Sequence, residues 1–211
     1  MPERSKRLRI LAGPNGSGKS TIVKKIRSSY YCGFFVNADE IQQTLDAKKV
    51  LNLNAEYGLE VSLELFNQYL LREGKSWLEK ATKEKLPINI SFSENNLLIA
   101  NGLSTGIYDA AIAADFIRFQ LLAKNNTFTF ETVVSHPSKL IFLQQARTAL
   151  LPSLIPHTYR TYLFDNSAEN SAISLIAEIE NGTTFIPKTE EIPWWVYEHV
   201  IDPLFTERDS K

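Results

Sequence analysis

Gly13-Pro14-Asn15-Gly16-Ser17-Gly18-Lys19-Ser20 decides how the chain is read. It fits G-x-x-x-x-G-K-[ST], the pattern of a phosphate-binding loop. Glycines let the backbone curl until successive N–H groups face one point, where a phosphate can sit. A helix that starts near Lys19 adds its positive end. In this pattern Lys19 reaches the β- and γ-phosphates of ATP, and the Ser20 hydroxyl holds magnesium. With glycine at about 7% of average usage, a chance match is on the order of one in a hundred. The neighbours fit as well. Arg7–Leu11 reads as a strand, and Ile22, Val23 and Ile26 recur at helical spacing over Lys19–Ser28.

Working outward, Phe34-Phe35-Val36 reads as a second strand, followed by a short helix over Asp39–Leu45. Ala55–Arg72 reads as one helix ended by Gly74, and Ser76–Lys85 as another ended before Pro87. Ile107–Lys124 is again helical. Thr127–Val134 alternates and is rich in Thr, Phe and Val, as strands are. A helix is predicted from Pro137 to about Leu150, a strand over Tyr159–Phe164, and helices over Ser171–Glu180 and Pro193–Phe205. Strands alternating with helices predict an α/β fold with a mostly parallel sheet flanked by helices. The 211 residues predict a single domain with a helical insertion at about 46–105.

Composition narrows the classes. Twenty-three basic residues against 24 acidic ones leave a formal charge of −1, which excludes a strongly basic nucleic-acid coat. A single cysteine, Cys32, excludes a disulfide framework and a cysteine-rich zinc site. His136, His157 and His199 lack metal-ligand spacing, and Trp194 and Trp195 read as anchors of a helix on the core. The longest uncharged run, Asn95–Tyr108, is too polar to span a membrane. The basic start at Arg4, Lys6, Arg7 and Arg9 is followed by too short an apolar stretch for a signal peptide. A cytoplasmic protein is expected.

No N-K-x-D motif marks a GTPase, no L-S-G-G-Q-like run an ABC ATPase, and no H-R-D or D-F-G a protein kinase. A small-molecule kinase or an ATPase is left. A kinase needs a base for the acceptor hydroxyl. Asp39 follows the second strand directly, at the end where α/β sheets bind ligands. Its alternative role is a helix N-cap. Glu40 reads as a first-turn charge. Glu131 lies within an apolar strand and could hold metal-bound water or a substrate hydroxyl, or be an edge-strand charge. Asp165 could serve as an ATPase's magnesium acid, or as a turn residue.

Leu11–Thr21, Phe35-Val36-Asn37-Ala38-Asp39-Glu40-Ile41 and Phe130–Lys139, in this order and context, resemble the zeta-toxin-like P-loop kinases. Tyr162–Ser167 resembles a late strand of these proteins. The resemblance implies the P-loop NTPase fold in its kinase-like form. It implies transfer of the ATP γ-phosphate to a sugar hydroxyl of UDP-N-acetylglucosamine, and an antitoxin protein as partner. Gly13, Pro14, Asn15, Gly16, Ser17, Gly18, Lys19, Ser20 and Thr21 would bind ATP, with magnesium on Ser20. Asp39 would act as base, with Lys19 also catalytic, and Glu131 and Thr132 would contact substrate. Asp165-Asn166-Ser167 would lie near the nucleotide base. Two features depart from the family. Asp46–Thr105 replaces a shorter link, which predicts a cap over the acceptor site or a partner surface. Ala149-Leu150-Leu151-Pro152 also runs straight into the late strand, so a strand and an arginine-bearing lid are missing. Arg147 and Arg160 flank that gap. The alternative is therefore a catalytically impaired nucleotide-binding module that acts through a protein partner.

Overall fold

Three parallel strands organise the first part of the chain. β1 (Leu8–Ala12) and β2 (Phe34–Val36) both pair in parallel with β6 (Phe128–Thr132), giving the order β1-β6-β2. Ala12 lies opposite Thr132, and Val36 opposite Phe130, so the three carboxyl ends share one edge. The computed structural model describes residues 7–13, 16–93, 96–102, 104–132, 142, 145–146, 160–165, 174–180 and 184–201. The chain forms two compact units, residues 1–15 with 19–152, and residues 16–18 with 153–211.

In the first unit, α1 (Lys19–Ser29) follows β1, and α2 (Ala38–Lys48) follows β2. Gly33 permits the turn into β2. Its φ is +68°, and a Cβ there would lie 2.0 Å from the Thr127 carbonyl oxygen. Only glycine fits such an approach.

The segment 46–105 is helical only in part. α3 (Leu53–Tyr57), α4 (Leu63–Leu71) and α5 (Lys75–Lys83) accompany a sheet of β3 (Val50–Asn52), β4 (Ile90–Ser93) and β5 (Leu97–Ala100), antiparallel in the order β3-β5-β4. The single helix expected over Ala55–Arg72 is two. Gly58 ends α3 in the left-handed region, and the Ser62 hydroxyl accepts from Leu65 N to start α4.

α6 (Ile107–Ala123) is the centre of this unit. It is buried on all sides, from Tyr108 to Leu122, as its lack of a polar face implies. On one side Arg118 stacks 4.9 Å over the Phe130 ring of β6. On the other, Phe66 of α4 meets Phe116 edge-on at 5.0 Å. Asp115 of α6 is buried in a polar knot. It accepts from Tyr69 Oη and Trp77 Nε1 at 3.2 Å each and pairs with Arg118. Burial of two opposite charges is tolerated because each finds the other.

The second unit holds β7 (Arg160–Asp165), β8 (Ser174–Glu180) and β9 (Thr184–Pro187), antiparallel in that order. β8 corrects the helix expected over Ser171–Glu180. Ile176 through Ile179 are buried without alternation, as suits a central strand. Helix-like geometry covers Trp194–Val196 and a wider turn Tyr197–Ile201, and the rest of the helix predicted to Phe205 lies outside the described residues. The architecture is mixed α/β, with one parallel and two antiparallel sheets among the described residues. Among the described residues no helix is long and apolar enough to cross a membrane. The helix predicted from Pro137 falls largely outside the described residues, although Phe142, Gln145 and Ala146 are helical.

Candidate functional site

The carboxyl edge of the parallel sheet gathers the charged residues singled out in the sequence. Lys19 opens α1, and its Nζ donates to the Gly13 carbonyl at 2.8 Å. That bond ties the two ends of the Gly-rich loop together. The Gly13 N–H donates in turn to the Thr132 carbonyl at 3.3 Å, which anchors the loop's start to the end of β6. Within the loop, Gly16 and Gly18 have φ near +81° and +78°, which the pattern's glycines allow. A Cβ at Gly16 would meet nothing within 4 Å. Backbone conformation, not crowding, makes glycine fit there. Ser20 and Thr21 are exposed in the first turn of α1. Pro14 and Asn15 lie outside the described residues.

Asp39 is exposed at the start of α2 and is not its cap. Asn37 has that role, its Oδ1 accepting from Asp39 N at 2.8 Å and Glu40 N at 3.2 Å. The Asp39 carboxylate is therefore left to other work. The sequence pattern Asn-Ala-Asp-Glu before an apolar periodicity could have shown Asn37 as the cap.

Glu131 is half-buried on β6, opposite Leu11. Burial raises its carboxyl above the ordinary glutamate range; Lys19 pulls it back, and Glu40 and Asp39 push it up. Lys19, Glu40 and Asp39 thus all act electrostatically on Glu131. Thr132 is buried at the strand's end. An ammonium beside an exposed carboxylate and a half-buried one suits a negatively charged group that approaches Lys19 while a proton leaves toward a carboxylate. Among the described residues no group of three or more His, Cys, Asp or Glu side chains is arranged to hold a metal ion.

Asp165 ends β7, in the second unit's antiparallel sheet, and its side chain lies outside the described residues. Asn166, Ser167, Arg147, His136 and His157 lie outside them too.

A cavity of about 290 Å³ lies beside β2. Arg27, Phe35, Glu40, Thr44, Glu56 and Tyr57 help to line it. The sequence reading did not find it, because its walls come from α1, β2, α2 and α3 and no motif joins them. Comparison of the chain with protein-family models, with curated proteins and with solved structures gives no match.

Proposed function

We propose that the chain is an ATP-dependent phosphotransferase with a P-loop kinase fold, of the zeta-toxin-like type that its motifs resemble. The observation that carries this reading is the electrostatic action of Lys19 and Asp39 on Glu131 at the carboxyl edge of the parallel sheet. Gly13–Thr21 would hold the triphosphate, with Ser20 on magnesium. Mg·ATP would supply the γ-phosphoryl group and a cation that offsets its charge. Asp39 takes the proton of the acceptor hydroxyl, since its carboxylate is exposed and Asn37 relieves it of capping. Glu131 and Thr132 orient the acceptor. Lys19 holds the moving phosphoryl group against repulsion from the carboxylates. UDP-N-acetylglucosamine, or another small molecule with a free hydroxyl, is the acceptor to try first. The reaction would be cytoplasmic, and an antitoxin protein would restrain it.

The test is a transfer assay. The full chain is mixed with Mg·ATP and UDP-N-acetylglucosamine, then with a metabolite extract, and products are read by mass spectrometry. A phosphorylated metabolite and ADP, both lost in Lys19→Ala, are expected. Bound ATP with neither product in any mixture would overturn the kinase reading. That result would favour a nucleotide-binding module that acts through a protein partner. The direct run from Ala149 to Pro152 into the late strand, with no lid sequence between, is what supports that second reading.

A further inference from the structure

The cavity beside β2 is rich in hydrogen-bond acceptors and aromatic rings. Glu40 and Glu56 bring two carboxylates to its wall. Neither is in an ion pair among the described residues. Thr44 Oγ1 donates its proton to the Glu40 carbonyl at 2.9 Å, so its lone pairs are what it offers to a ligand. Phe34, Phe35 and Tyr57 supply ring surface, with Phe34 and Tyr57 tilted at 6.3 Å. One cation already uses such a ring here, for the Arg27 guanidinium lies 5.0 Å from the Phe35 centroid. That contact is a cation–π interaction. Glu56 and Glu40 also act on the ring hydroxyl of the wall: burial first, then these two carboxylates, hold the Tyr57 phenol well above its ordinary value. The volume, about 290 Å³, lies just below the usual range for small-molecule pockets, about 300–1,000 Å³.

We propose that this cavity binds a small aliphatic amine of the diamine or polyamine class, its ammonium groups on Glu40 and Glu56 and its methylenes against the aromatic wall. The chemistry is complementary apart from Arg27, whose guanidinium is turned onto the Phe35 ring. Ammonium groups offer only donors and positive charge, and the wall offers carboxylates, a hydroxyl acceptor and ring faces. The inference does not rest on the phosphotransfer reading, because Lys19, Asp39 and Glu131 do not line the cavity. Glu40 links the two places, since it acts electrostatically on both Glu131 and Tyr57. An amine seated here would therefore weaken the repulsion that Glu131 feels.

Isothermal titration of the full chain with spermidine and with 1,5-diaminopentane at low salt tests this. Saturable one-to-one binding is expected. It should weaken at least tenfold in the Glu40→Gln/Glu56→Gln double variant and stay unchanged in Lys19→Ala and in the surface control Glu64→Gln/Glu79→Gln. The neutral analogue 1,5-pentanediol should not bind. In wild-type protein carrying fluorotyrosine, the Tyr57 resonance should move during the spermidine titration, whether or not the variants fold. Absence of saturable binding would overturn the proposal. So would binding unchanged in the cavity variant, equal loss in the surface control, equal binding of the diol, or an unmoved Tyr57 resonance.

Discussion

Asp46 of α2 accepts a hydrogen bond from the backbone N–H of Thr105, 59 residues further along the chain. Gln42, one turn earlier, donates from Nε2 to the carbonyl of the same Thr105 at 2.7 Å. One helix thus holds both backbone groups of the residue where the segment 46–105 ends. The Thr105 hydrogen bond keeps the Asp46 carboxyl below its ordinary range. A depressed carboxylate contributes stability above its unfolded value, about 3.9, and loses it as pH falls through the folded value. Wild type should therefore lose more stability between about pH 5 and pH 3 than Asp46→Asn does. Urea midpoints across that range measure it, and identical acid limbs would contradict it.

Glu131 has the opposite sign. Burial raises its carboxyl, so its ionised form costs the folded state stability above its unfolded value. Glu131→Gln should melt higher than wild type at pH 7 while phosphotransfer is lost. Carbon-13 titration of the Glu131 carboxyl should give a higher value in Lys19→Met, which removes the neighbouring cation. In Asp39→Asn, which removes a like charge, the value should be lower. A value that neither substitution moves would separate Glu131 from both groups.

Asn37 and Asp39 should separate stability from chemistry. Asn37→Ala removes the cap of α2 and should cost about 1 kcal/mol. Asp39→Asn loses only the favourable charge at a helix start, about 0.3–1 kcal/mol, yet should abolish phosphotransfer with ATP binding intact. Denaturation curves beside the transfer assay make the comparison. Full transfer in Asp39→Asn would remove Asp39 from the role of base.

Gly33→Ala should destabilise the first unit by roughly 2–5 kcal/mol. Strain at positive φ contributes about 1–2 kcal/mol, and collision with the Thr127 carbonyl about 1–3 kcal/mol more. Circular dichroism melting reads the effect directly. An unchanged melting temperature would mean the turn tolerates a side chain.

Asp115→Ala should cost about 3–5 kcal/mol, because it strands the Arg118 charge against Phe130 and Phe142. Asp115→Leu combined with Arg118→Met should recover much of that loss, since the pair is then replaced by apolar volume. Chemical denaturation of the single and double variants gives the coupling.

Local chemistry made much of the first unit legible. There α1, β2, α2, α5, α6 and β6 lie where periodicity predicts them, although the cap of α2 is Asn37 and not Asp39. Ala55–Arg72 misleads because Leu59 and Leu63 keep helical spacing across the break at Gly58, whose left-handed φ interrupts the backbone and not the pattern. β8 misleads for another reason. Leu175, Ile176 and Ile179 satisfy a helix as well as a strand, and only pairing on both sides with β7 and β9 selects extension. The Gly-rich loop, Asp39 and Glu131 were readable as motifs. The cavity was not, because Arg27, Glu40 and Glu56 become neighbours through tertiary packing alone.

The strand order of the parallel sheet has a consequence for synthesis. β6 is the middle strand and the last of the three to leave the ribosome. β1 and β2 are made more than ninety residues earlier and cannot pair with each other across the gap that β6 fills. A nascent chain that stops at Asn126 carries two extended segments and no ladder between them. The carboxyl edge that gathers Lys19, Asp39 and Glu131 therefore comes into being in one late step, when Phe128–Thr132 slides between strands that have waited for it.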